Sequence, residues 1–430
     1  MSRHIFRCSG YKIHFPDAWT EKIASKILAP TIFLIITVVA GPINADLQIS
    51  GYYKNFSTGL ASPLPDEPII GAVNNRLRLN FAYAPTDPLS FDLSYDFAPR
   101  IQDPSLFSEP PIAGAAGSLH YRAVDFDATI YPDEEDPDGS FGLFQNLDRA
   151  SIAYGANFGD ITIGRQAIAW GSARVVNPTD VIAPYAYNQL DTEDRIGVDA
   201  IRVQIPIGVL GEFDTGYVFG ENFVFEKSAF FLRSQLNAVE TDFAISLLGF
   251  RDHLMTGFDI ARGIGGAGFW LEAAYVYADA FDGENGEAEN YLRASIGLDY
   301  SFGGVSYGFI EYHFSGAGAG EPEDYLANLD RPAYTDGAVY LMGKHYFVPG
   351  LTFQITPLIS LSGVVLSNIA DPSLFPSLQI EYNFAQDIYL SAGGFIGIGK
   401  RPETEDEETQ FRSEFGGYPT LFFLSFRLYF

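Results

Sequence analysis

Apolar side chains at every second position, with charge between them, constrain this chain more than any other feature. In the last segment Phe422, Leu424, Phe426, Leu428 and Phe430 alternate with Ser425 and Arg427. Leu77, Leu79, Phe81 and Tyr83 alternate with Arg76, Arg78 and Asn80, and Leu89, Phe91, Leu93 and Tyr95 with Ser90, Asp92, Ser94 and Asp96. Leu292, Ile296 and Leu298 flank Arg293, Ser295 and Asp299, and Leu378, Ile380 and Tyr382 flank Gln379 and Glu381. A period of two is that of a β-strand with one apolar face. A soluble sandwich has no need of an apolar face on every strand with charge on the other. A barrel with a lipid-facing outside and a wet lumen does.

Strands are expected near 46–57, 73–84, 89–100, 147–156, 160–170, 198–206, 211–220, 228–237 and 242–250. Further strands are expected near 255–262, 268–277, 290–301, 304–314, 337–347, 351–363, 375–384, 387–398 and 420–430. That makes about eighteen, or sixteen if a hairpin is misread near 220–227 or 251–254. The connections alternate in length. Asn157–Asp160, Ala238–Thr241, Ser301–Gly304 and Phe347–Gly350 read as tight turns, whereas 58–72, 101–146, 171–197, 278–289, 315–336 and 399–418 are long. The expected fold is therefore all-β, a transmembrane antiparallel up-and-down barrel over 46–430. Its short turns would be periplasmic and its long acidic loops extracellular.

Residues 27–41 form the one long apolar run, preceded by Lys22 and Lys26 and followed by Pro42–Ala45. The run is too short for the roughly 20 residues of a spanning helix. It reads as a secretory leader, residues 1–45, cleaved after Ala45. Cys8, the single cysteine, lies within it, so the exported chain has no disulfide framework.

The aromatic ending resembles the closing strand of Gram-negative outer-membrane barrels, which typically end in Phe. The resemblance implies that Phe430 is the signal read by the barrel-assembly machinery. A second resemblance lies in Gly164-Arg165-Gln166, Trp170-Gly171 and Asn177-Pro178-Thr179-Asp180, which together are similar to a segment of porin-like and exopolysaccharide-exporter-like barrels. It implies the same architecture without identifying a substrate.

The net charge of −28 excludes a nucleic-acid surface and concentrates in the long loops, densest at 133–136 and 403–408. These carboxylates read as a solvated rim, or as sites for divalent cations that bridge to lipopolysaccharide, although neither run has the spacing of a calcium loop. Lys54, Arg76, Arg78, Arg202, Arg293 and Arg427 fall on polar faces, as do Asp92, Asp96, Glu272, Asp299, Glu311 and Glu381. All are expected to line the pore. Closing the barrel sets Arg427, Lys54, Arg76 and Arg78 on one wall as a basic arc facing acids across the lumen. Loop 171–197 is odd for an outer surface, with apolar Val175, Val176, Val181, Ile182, Tyr185 and Tyr187. Either it turns into the barrel, with Arg165 and Arg174 near a constriction, or it packs against other loops or a neighbouring subunit.

Catalysis finds no support. His120, His253, His313 and His345 remain after processing, and the expected register separates His313 from His345 by roughly 23 Å. No nucleophile motif, zinc spacing or phosphate loop is present, and no metal or cofactor is expected. The sequence reads as an outer-membrane channel for diffusion or export of small or polymeric solutes. The alternative is an interaction protein: an adhesin, a receptor, or a sheath around an electron-transfer partner. A homo-oligomer is left open. Changing Phe430 to Asp is expected to leave the protein degraded or periplasmic. Folded, heat-modifiable variant at normal level in the outer membrane would refute the role of the terminal aromatic.

Overall fold

The computed structural model describes residues 7–8, 11–12 and 46–430, apart from 64–67, 105, 107–120, 127, 133–138, 186, 188, 282–288 and 406–407. The leader's cleavage site and the acidic run 133–136 lie outside the described residues, as does part of the run 403–408.

Eighteen antiparallel strands close into one barrel. They are β1 (Asp46–Ala61), β2 (Ile70–Thr86), β3 (Leu89–Gln102), β4 (Phe141–Ala156), β5 (Gly159–Gln166) and β6 (Val198–Ile207). Then come β7 (Gly211–Val218), β8 (Ala229–Ala238), β9 (Thr241–Phe250), β10 (His253–Ile264), β11 (Ala267–Tyr277) and β12 (Tyr291–Phe302). The last six are β13 (Ser306–Ser315), β14 (His345–Thr356), β15 (Ile359–Asn368), β16 (Ser373–Ala385), β17 (Ile388–Phe395) and β18 (Thr420–Tyr429). Each strand pairs with its sequence neighbour, and β18 pairs with β1 in the register Arg427 opposite Lys54. Phe430 completes the seam, donating its N–H to the Gly51 carbonyl and accepting from the Gly51 N–H.

Side-chain placement inverts that of a soluble protein. On β12, Arg293 and Ser295 are buried inside while Leu292, Ile296 and Leu298 are exposed outside. Tyr154, Tyr300, Phe302, Phe353, Tyr382 and Phe384 mark the outer wall near the turn-side rim. This is the apolar belt and aromatic girdle of a membrane-spanning barrel. The tightest turns need left-handed backbone at both central residues, as a two-residue hairpin requires. Val239 and Glu240, at φ 53° and 56°, supply it between β8 and β9.

Two expectations are corrected. Phe347–Gly350 is not a turn: β14 runs straight through it, and the chain turns at 357–358. Residues 337–344 are accordingly loop. Pro349 and Gly350 mimic a turn in sequence, but the ring of Phe309, opposite Gly350 on β13, lies where a side chain at 350 would stand. The link between β15 and β16 is also shorter than the expected 364–374, spanning 369–372, whereas β9 and β10 turn at 251–252 as the expected hairpin there has it.

Besides a few bulges, the wall has a larger irregularity at β5. β5 stops at Gln166, so the loop-side half of β4 lacks its partner there. Short strand Thr129–Tyr131 pairs with β4 at that height, and residues 121–126 fill the gap beside it. Arg165, expected near the constriction, holds this patch. Its guanidinium donates to Asp199 (2.7 and 3.0 Å), Asp125 (3.0 Å) and the carbonyls of Leu147 and Val124 (both 2.8 Å). All the donors are used, in geometry suited to a planar fork. Arg165→Leu would leave Asp199 without its cation and Asp125 with Arg122 alone (2.7 Å), a loss of about 3–5 kcal/mol. Urea unfolding of the reconstituted protein should show that loss, and unchanged stability would rule out this role.

Candidate functional site

The loop after β5 turns into the barrel and makes a circuit of its inner wall. Trp170 donates from Nε1 to Asp214 (3.2 Å) and meets Phe231 edge-on. Gly171 bends the chain at φ 117°, packed so closely on Asn177 and Glu272 that no Cβ would fit. Next the backbone loses regular partners, and two wall carboxylates replace them. Glu272 Oε2 accepts from the N–H groups of Ser172 (3.0 Å) and Ala173 (3.1 Å), and Oε1 from the N–H and hydroxyl of Thr179 (2.8 and 2.7 Å). Glu311 accepts from the N–H groups of Arg174 (2.7 Å), Val175 (3.3 Å) and Val176 (3.1 Å). Backbone donors withdrawn from water need acceptors, and ionised ones bind them most strongly.

The chain then crosses the lumen. Val181 and Ile182 are buried in the interior cluster, and the Tyr187 hydroxyl meets that of Tyr418 at 2.5 Å. On the far wall Asp191 and Glu193 hold the fully buried Lys54 at 3.0 and 2.7 Å. Asp194 accepts from Tyr52 (2.6 Å) and approaches Arg78. The loop leaves at Gly197, whose N–H donates to Asp148 (3.0 Å).

The expected basic arc therefore exists as a row on the wall, but its partners are near ones. Arg78 is paired with Asp148 (2.8 Å) and Asp96 (3.5 Å), Arg76 with Asp96 (2.9 Å), Arg427 with Glu381 and Arg202 with Asp214 (2.7 Å). The loop's own Asp191–Asp194 caps the arc, so no bare field spans the lumen there. Glu272 and Glu311 face inward but lie buried beneath the loop, and Asp92 faces inward near the turn-side rim. Asp191, Glu193, Asp194 and Arg195 escaped the sequence reading. Their signal was a run of acids next to apolar residues, with a sign opposite to the arc.

Arg174 stands where the path narrows. It is 47% exposed, with Nη2 2.7 Å from Asp299 and its guanidinium 5.0 Å over the Trp270 ring. Arg174 lines a cavity of about 440 Å³ toward the loop-side rim, shared with Asp180, Tyr185, Arg195, Arg293 and Tyr340. It also lines one of about 290 Å³ toward the turn-side rim, shared with Ser172, Asp242 and Trp270. In the upper cavity Arg293 is only 3% exposed and its Nη1 has no hydrogen-bond partner. Arg195 pairs with Asp180 at 2.7 Å and stacks on Tyr185 at 3.7 Å. The surplus around this cavity is cationic.

The register of β13 on β14 corrects the histidine pair. His313 lies opposite Tyr346 and Phe314 opposite His345, which puts the histidines on adjacent rungs but opposite faces. His345 bonds the outward Tyr312 (2.7 Å). Inside, His313 lies 2.8 Å from Ser295, but that hydroxyl is buried and donates to the Val176 carbonyl (2.7 Å). It is a loop anchor, not a nucleophile. Among the described residues no group of three metal-ligating side chains converges.

A closed eighteen-stranded barrel with one loop folded into its lumen is a porin-type barrel. No family model and no curated protein matches the sequence. Solved structures do match. OccK8 (OprE) of Pseudomonas aeruginosa is similar at a TM-score of 0.55 and 9% identity, over 90% of this chain and 98% of that one. OccAB4 of Acinetobacter baumannii aligns at 0.54 and 10%, over 91% and 100%. OccD3 (OpdP) of P. aeruginosa aligns at 0.52 and 10%, over 91% and 92%. At these identities the likeness is one of fold.

Burial pushes the Asp180 carboxyl up to about 6, against the pull of Arg195. A carboxyl raised on folding favours the docked loop below its ordinary value near 3.8, and that contribution is lost as pH rises through about 6. Hydrogen exchange around 178–184 should therefore slow as pH falls from 7 toward 4, once intrinsic rates are removed, by about 2–3 kcal/mol. Asp180→Asn should flatten the dependence. An identical profile in the variant would assign it elsewhere.

Proposed function

We propose that the protein is an outer-membrane channel through which small solutes diffuse, with the loop at 167–197 as its constriction. The observation that carries this reading is Arg174, which lines both the upper and the lower cavity. A solute moving between them passes its guanidinium. The fold shared with Occ and OprD outer-membrane porins supports the same reading. In this orientation the turn-side rim is periplasmic and the acidic loops meet the medium. The leader is removed on export, Phe430 addresses the chain to the assembly machinery, and the outer rim lies among lipopolysaccharide. Arg174, Arg195 and Arg293 against Asp180 favour solutes carrying an anionic group. A sheath around a protein partner would need an open lumen, and the docked loop occupies it. Catalysis is no part of the proposal.

In planar bilayers the purified protein should give small single-channel steps. Replacing Val175–Tyr187 with a short Gly-Ser link should raise conductance several-fold, and Arg174→Glu should move the reversal potential in a salt gradient toward cation preference. A folded loop variant that conducts as the parent does, or fails to conduct at all, would remove the loop from the path.

A further inference from the structure

Two loop segments that the topology assigns to the outer medium do not project into it. Residues 123–126, following Tyr121 in the interior cluster, lie on the outer side of the wall where β5 leaves the barrel, and residues 219–228, between β7 and β8, lie beside them. The N–H of Asn222 donates to the Ala123 carbonyl at 2.9 Å and joins the two. Both present large apolar side chains outward: Val124 and Phe126 from the first, and Phe223 (61% exposed), Val224 and Phe225 (63% exposed) from the second. The backbone is strained to do so, since Asn222 and Phe223 both hold positive φ, 55° and 60°. For a phenylalanine that conformation is an outlier.

The rings rest on the barrel's own outward-facing aromatics. Phe126 meets Tyr95 of β3 at 6.5 Å, and Phe223 stacks through Phe219 (5.6 Å) onto Tyr217 of β7 (5.0 Å). Phe281, from the link between β11 and β12, lies 6.2 Å from Phe230 of β8. These wall residues belong to the face that also carries the exposed Ile163 and Ile201. Beneath the first segment sits the Arg165–Asp199–Asp125 network. Arg165 is only four residues up the ladder from the position paired with Tyr154, which marks the girdle near the turn side. Four residues climb roughly 9 Å along a wall tilted about 45°, which is well inside a hydrocarbon layer of about 30 Å. Ions at that height must be kept from acyl chains, and the segment that covers them is apolar on its outer side.

We propose that residues 123–126 and 222–225 form a lipid-immersed apron, seated among the acyl chains of the bilayer and sealing the ion network against them. The occupant is acyl chain, because the patch continues the lipid-facing wall without a break. The inference rests on the membrane-barrel reading, and the test separates the two.

The full-length protein is reconstituted into phospholipid vesicles whose acyl chains are brominated, with single tryptophans introduced as Phe223→Trp, Phe225→Trp, Ile296→Trp and Leu326→Trp. Emission of the parent, from its own tryptophans, is subtracted. The tryptophans at 223 and 225 should emit at blue-shifted wavelength and lose most of their fluorescence to bromine, as the one at 296 on the outer wall does. The one at 326, in the loop-side helix Tyr325–Leu329, should be quenched by aqueous acrylamide instead. Acrylamide quenching at 223 and 225 would overturn the apron, and so would protection from both quenchers, which would mean a protein cover such as a second copy. Failure of bromine to quench at 296 would sink the membrane reading itself. Should one phenylalanine variant fail to fold, the other carries the test.

Discussion

The interior depends on how backbone N–H groups are satisfied away from bulk water. A strand in a barrel pairs with its neighbours, but a segment that leaves the wall loses that arrangement at once. Here the loop begins to lose it after Gln166, and Glu272 and Glu311 take over as acceptors for the N–H groups of Ser172 to Val176 and of Thr179. Two carboxylates do for an irregular segment what a neighbouring strand does for a regular one. Their cost of burial is offset by the number of donors that converge on each.

The same economy governs the charge. Most of the lumen's guanidinium groups are matched within a few ångströms, on adjacent strands or by the loop, as in Arg202 with Asp214 and Arg78 with Asp148. Such pairing keeps the wall rigid, and in the upper cavity it leaves Arg293, whose Nη1 has no hydrogen-bond partner, beside Arg174 and Arg195. What a solute encounters there is a small remainder of a large, mostly cancelled inventory. Counting charged residues on strand faces could not give that remainder.

The barrel was legible because alternation is a local signal that survives without knowledge of any partner. Most of the strands, their inward and outward faces and the seam between β18 and β1 could be read from it. Where it failed, another local signal competed. Pro349 and Gly350 carry the chemistry of a turn, and only the Phe309 ring across the ladder shows why they lie within β14. The site was less legible because its contacts join residues far apart in the chain, 93 positions for Thr179 with Glu272 and 137 for Arg174 with Glu311. Glu272 reads as one more polar residue on a strand until Thr179 is set against it. Arg165 reads as a pore residue until the early end of β5 is known. Loop 171–197 betrayed itself only by being too apolar for water, a property that says where a segment cannot be but not what it touches.

Glu193 has a further consequence, for the order in which the molecule is put together. One of its oxygens lies 2.7 Å from Lys54 of β1 and takes the Tyr429 hydroxyl of β18 at the same distance. These are the first and last strands of the barrel, so the socket for this carboxylate exists only once the sheet has met itself. A chain still open at the seam can seat Asp191 and Asp194 on β1 and β2 but lacks the Tyr429 half of the socket for Glu193. Closure of the barrel thus completes the docking of the loop, and an unclosed intermediate holds its acidic segment by fewer contacts.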